Sequence, residues 1–163
     1  YNTSFTFSAL APEIDLPPPT IEFLRDSIIG TQRHFKIKIS PNRKVNRYDI
    51  FADEKLVFHN FKANGAADIS QKGSAYPRKG KKLLSYYVVA NESLEMVFSI
   101  DKNSILDMEL FESSFDLLTN AELKVAKRSA AMMPKPFIMN DAIIVKQRIK
   151  PTPKVLAPII IAP

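Results

Sequence analysis

The sequence predicts an all-β fold, an antiparallel, jelly-roll-like β-sandwich of about eight strands, and three observations carry that prediction. Apolar residues recur with a period of two through most of the middle of the chain, as in Phe35, Ile37 and Ile39 alternating with Lys36 and Lys38. Turn-forming residues fall between these runs at short intervals, which suits a sandwich or barrel. The aromatic residues are mostly phenylalanine, 11 Phe with 5 Tyr and no Trp, and Phe, Val and Ile favour strands.

The elements follow in order. Thr20 to Ile29 reads as the first strand and Ile29-Gly30-Thr31 as the turn after it. The Phe35–Ile39 alternation ends at Ser40-Pro41-Asn42, and a strand over Tyr48 to Ala52 follows. Asp53-Glu54 makes a tight link to a strand over Leu56 to Ala63, which Asn64-Gly65 closes as a strong turn dipeptide. Leu83 to Ala90 is the next strand. Leu94, Met96, Phe98 and Ile100 alternate in the one after, and Leu106, Met108 and Leu110 in its successor. Asn91-Glu92 and Asp101-Lys102-Asn103-Ser104 are expected to close two hairpins. Ala121 to Ala131, rich in Ala, Lys and Leu, reads as one short helix or an ordered loop. Ala142 to Ile149 is the last strand.

Proline organises the ends. Pro12, Pro17, Pro18 and Pro19 favour extended polyproline II and cannot join a central sheet, so residues 1–19 read as an interdomain linker. Residues 20–150 form the sandwich. Residues 151–163 are a Pro-punctuated apolar tail whose Val155-Leu156 and Ile159-Ile160-Ile161 are expected to dock on something or add an edge strand. The chain begins at Tyr1, and we read it as a piece of a longer protein joined at the linker, with any targeting segment upstream.

Composition narrows the chemistry. The 163 residues suffice for one domain with its own core. There is no cysteine, which excludes disulfides and thiolate metal sites. No apolar run approaches the roughly 18 residues of a membrane helix. The net charge of +6 is spread over scattered Lys and Arg and reads mainly as solubility.

No catalytic or cofactor motif is found. His34 and His59 stand in strand patterns with polar neighbours, outside any HExxH arrangement. Ser113-Ser114 follows a strand and reads as a pair of turn serines, with no G-x-S-x-G. Gly30, Gly65, Gly73 and Gly80 are isolated, so no phosphate cradle is formed. Asp101 to Leu106 begins like a calcium loop, but Ile105 and Leu106 stand where an oxygen ligand and the turning glycine belong. The expected set is therefore no catalytic residue, no metal ligand and no cofactor.

Two segments invite a binding role. Arg78-Lys79-Gly80-Lys81-Lys82, with Tyr76 before it and Tyr86-Tyr87 after it, has the basic and aromatic elements of a single-strand nucleic-acid binder. A solvated loop before a strand is the plainer reading, and no nucleic-acid-binding fold signature accompanies it. Met132, Met133, Pro134 and Phe137 set adaptable and aromatic side chains among stiffening prolines. They read either as a loop capping the sandwich core or as an interdomain docking surface.

The order of several pieces resembles one family. Met132-Met133-Pro134-Lys135-Pro136-Phe137, followed by Asn140-Asp141-Ala142-Ile143-Ile144-Val145-Lys146, looks like the closing segment of bacterial di-zinc aminopeptidases of metallopeptidase family twenty-eight. Leu83 to Tyr87, Leu110 to Leu117 and the Pro-rich junction Ala11 to Pro19 are similar to other pieces of that family's C-terminal β-rich domain. Asp116 departs from the family's turn glycine, and residues 121–131 have no counterpart. The resemblance implies a non-catalytic accessory domain of an exported, zinc-dependent hydrolase. Its partner would be the catalytic peptidase domain of the same polypeptide, in the periplasm or attached to the cell envelope. The zinc ligands lie in the preceding domain of such enzymes, so none is carried over. A carbohydrate or cell-surface ligand-binding sandwich module is the alternative, by analogy of fold.

Overall fold

The computed structural model describes residues 10–68, 73–134 and 139–151. Among them are nine strands: β1 (Thr20–Ile29), β2 (Gln32–Ser40), β3 (Arg47–Ala52), β4 (His59–Ala63), β5 (Ala66–Ala67), β6 (Lys82–Tyr87), β7 (Leu94–Asp101), β8 (Met108–Ser114) and β9 (Ile143–Ile149). They form two antiparallel sheets, ordered β1-β2-β7-β4-β5 and β6-β3-β8-β9. The expected all-β sandwich is therefore present, and neither sheet closes into a barrel.

The alternation in sequence becomes the inner faces of the sheets. Phe35, Ile37 and Ile39 of β2 pair with Phe98, Met96 and Leu94 of β7 and turn inward. Tyr48, Ile50 and Ala52 of β3 pair with Glu112, Leu110 and Met108 of β8 and face them from the other sheet. Phe98 lies near the middle, with ring centroids 5.1 Å from Phe58, 5.5 Å from Phe35 and 6.0 Å from Phe61.

Two hairpin turns follow local chemistry. Ile29 pairs with Gln32, so Gly30-Thr31 is a two-residue loop with a positive φ only at Gly30, the pattern of a type II′ turn. Asn64 and Gly65 both have positive φ between β4 and β5, the pattern of a type I′ turn.

Two expected hairpins are not hairpins. Asn91-Glu92 lies between β6 and β7, which belong to different sheets. The Asp101–Ser104 turn likewise carries the chain from β7 to β8 across the sandwich. Local turn residues reverse the chain but do not choose its next neighbour. From β2 to β8 the chain changes sheet at every step except the β4–β5 hairpin, a jelly-roll-like weave.

Residues 121–131 contain no helix; they are turns and irregular backbone within the connection between β8 and β9. With no clean apolar stripe to bury, propensity alone does not sustain a helix there. Arg128 pairs with Asp141 and the Leu117 amide donates to the Asp141 carbonyl at 3.2 Å, which closes the connection on itself.

At this same end of the domain Pro19 is buried, and Asn42 Nδ2 donates to the Pro18 carbonyl at 2.7 Å. The last part of the proline-rich segment is thus pinned beside β1. The tail expectation for residues 152–163 lies outside the described residues.

Candidate functional site

The sandwich has two unlike ends. One gathers the starts of β1 and β3 with the ends of β2, β6 and β8, and its core turns polar. The inward face of β8 runs Met108, Leu110, Glu112, Ser114, so strand periodicity carries a carboxylate into the core. Glu112 is fully buried. Arg43, from the β2–β3 connection, reaches it with Nε 2.8 Å from Oε1 and also donates to Ser114 Oγ. Tyr48, on β3 directly opposite Glu112, is fully buried as well.

Burial pushes the Glu112 carboxyl above the usual range, opposed by the pull of the Arg43 guanidinium and the Tyr48 hydroxyl. Burial, reinforced by the Glu112 charge, raises Tyr48. Such a group can hold or release a proton, but it is sealed. A cleft of about 220 Å³ beside it is lined by Ser114, Asn46 and Phe115 and does not include Glu112. We read the cluster as an internal lock for this end. Asn46 completes it: its amide donates to the Ser113 carbonyl at 2.9 Å, and its Oδ1 accepts from the Phe115 amide at 2.8 Å.

The outer face of the four-stranded sheet holds a second cluster. Asp49 accepts from Ser85 Oγ at 2.5 Å and Arg47 Nη2 at 2.8 Å, with Lys82 Nζ 3.4 Å away. Arg47 lies over the Tyr87 ring at 5.2 Å, and Tyr87 is 64% exposed. Below this row Phe51 and Phe111 meet edge to face at 5.3 Å, with Lys82 over one ring and Lys146 over the other. Cross-strand register makes this face, since Arg47, Asp49 and Phe51 oppose Ser113, Phe111 and Glu109.

The basic cluster is divided by its structure. Arg78 turns inward, donating to the carbonyls of Leu56 at 2.8 Å, Gly80 at 2.9 Å, Ala52 at 3.3 Å and Asp53, with Phe58 beneath it. Burial lowers its pKa, against the pull of Asp53 and Glu54. Lys79, Lys81 and Lys82 are exposed. Of the flanking aromatics, Tyr76 packs on Phe61 at 4.7 Å and Tyr86 stacks on Tyr48, leaving Tyr87 outward. The structure therefore does not combine the run of charges and rings into one surface.

His34 and His59, distant in sequence, both lie opposite Ser99 in register, one on each side of β7. Strand spacing sets them roughly 10 Å apart, too far for one metal ion. His59 Nδ1 contacts Ser74 Oγ at 3.2 Å, and Ser99 Oγ donates to Gln32 Oε1 at 2.7 Å. Among the described residues no three His, Asp or Glu side chains are grouped to hold a metal ion. Ser113 and Ser114 are not turn residues; they end β8, and both are buried. The β8 pairing with β3 and β9 extends the strand past Leu110, where the sequence alternation stopped being apolar.

Met132 and Met133 are exposed, 64% and 89%, and Pro134 is exposed too. They do not cap the core. Phe137 lies outside the described residues. No helix among the described residues is long and apolar enough to cross a membrane.

Comparison with known proteins adds no relative: no family model, curated protein or solved structure matches this chain.

Proposed function

We propose that this chain is a non-catalytic C-terminal accessory domain of an exported zinc-dependent peptidase, aminopeptidase-like, that packs on the catalytic domain and supports it. The observation that carries the reading is the exposed Met132-Met133-Pro134 segment. The sandwich fills its core without it, and Asp141 and Arg128 close the connection that bears it. Exposed methionines suit an adaptable apolar contact, and burying each contributes about 1.5–3 kcal/mol. The resemblance of residues 132–146 to the closing segment of such enzymes supplies the partner's identity. It also supplies the location, periplasmic or attached to the cell envelope.

The test begins with the reading frame upstream of the Tyr1 codon. A catalytic domain with His, Asp and Glu zinc ligands is expected there; any other neighbour overturns the reading. With that domain produced separately, calorimetry should detect association with this chain. M132S/M133S should weaken it at least tenfold while leaving the thermal midpoint of the isolated chain within about 2 °C. Equal affinity for the variant would move the contact elsewhere.

One observation favours the carbohydrate or cell-surface ligand-binding reading. Tyr87 stands out of the sheet beside Arg47, Asp49 and Ser85, an aromatic platform edged with hydrogen-bonding groups. Saturable binding on a glycan array, lost in Y87A, would establish it; a blank array would remove it.

A further inference from the structure

The second end of the sandwich carries an open groove of about 880 Å³, with Ile28, Ile105, Leu106, Lys150 and Pro151 among its lining. Leu106 forms its buried floor, while Ile28 and Ile105 on its walls are poorly covered by the described residues. Ile28 and Ile29, at the end of β1, are 62% and 60% exposed, and Ile105, before β8, is 84% exposed. Three bare isoleucines at one end of a domain mark a contact surface rather than scattered exposure.

The chain supplies an occupant. Strand β9 ends at the fully buried Ile149, and Pro151 is itself part of the groove wall. The residues that follow include Val155, Leu156, Ile159, Ile160 and Ile161, with Lys154 as the sole charge from 152 to 163. Val155 is within roughly 14 Å of Pro151 and Ile160 within roughly 32 Å, by the reach of an extended chain. Pro151, Pro153 and Pro158 disfavour a helix that could bury these aliphatics against one another. A short tether also holds the segment at millimolar effective concentration beside the groove. A second copy is a poorer fit, since the chain is basic and Lys102 and Lys150 flank the site.

We infer that residues 155–161 of this same chain dock on the groove that Ile28 and Ile105 line. The inference holds whether or not the domain serves a peptidase. Because the chain has no cysteine, an introduced pair reports on it directly. The full chain carrying I105C/I160C is oxidised in glutathione buffer, beside a control carrying V89C/I160C. Val89 is exposed and lies past the end of β6, at the opposite end of the sandwich. The expected result is an intramolecular disulfide whose effective molarity exceeds the control's at least tenfold, and which I28D lowers towards the control. Equal values for the two pairs would overturn the inference. So would a disulfide formed only between chains, which would assign the groove to a second copy. Ile105 and Val89 are exposed, and circular dichroism checks the folding of each variant.

Discussion

Four main-chain carbonyls converge on Arg78, and the consequence is measurable. Charge-assisted hydrogen bonds to a partly buried arginine contribute more than neutral ones, and removing the donor leaves the acceptors open. R78A should lower unfolding stability by about 2–4 kcal/mol in urea titrations, whereas K79A should change it by less than about 0.5 kcal/mol. Equal effects would return Arg78 to the surface cluster. Glu112 gives a pH signature. Its carboxyl is raised in the folded state, so the folded chain binds that proton more tightly than the unfolded chain. Its contribution is fully present below the unfolded pKa and is lost as pH rises through the folded one. The stability difference between wild type and E112Q should therefore shift against wild type as pH climbs from about 4.5 upward. A flat difference across that window would show that Arg43 has cancelled the burial effect. Neither role was legible as such: Arg78 reads as one more cation in a run. The alternation of β8 already turned Glu112 inward, a signal that Ser113-Ser114 masked by looking like a turn.

At the scale of elements, the turns separate backbone strain from packing. A Cβ on Gly30 or Gly65 would meet nothing within 4 Å, yet both have positive φ. Alanine there should cost about 1–2 kcal/mol through the left-handed conformation alone. Denaturation midpoints of G30A and G65A check this, and a neutral G30A would mean that the β1–β2 hairpin adopts another turn at little cost. Among the described residues, the β8–β9 connection is tied together at Asp141 by the Arg128 ion pair and by the Leu117 amide hydrogen bond to its carbonyl, and Asp141 is itself at positive φ. D141A should speed proteolysis within residues 121–131 severalfold while moving the global midpoint little, a separation expected of local opening. Strand positions were readable because period two is a property of the single chain. The hairpins expected at Asn91 and Asp101 failed because a turn's residues do not say which sheet receives the next strand.

For the molecule as a whole, one core joins both sheets, and Phe98 sits where Phe35, Phe58 and Phe61 meet. F98A should cost about 3–5 kcal/mol, a large part of the roughly 5–15 kcal/mol a domain this size holds. Thermal unfolding should then begin far below the wild-type midpoint; a shift of only a few degrees would mean that the sandwich collapses to fill the cavity. With the core internally complete, Met132 and Met133 contribute nothing to it, which is why their removal is expected to be felt by a partner and not by the fold.

Composition, alternation and turn residues by themselves determined that this chain is all-β, where nearly every strand lies, and that Met132 and Met133 are unusual. These are local properties, set by side-chain period and backbone preference within a few residues. Only the tertiary structure decided the weave between sheets, the inward turn of Arg78 and the sealing of Glu112 against Arg43. It also decided the meeting of Ile28 with Ile105 at one end. Each of those depends on which distant segment arrives alongside, and that is chosen by burial of the whole apolar surface at once.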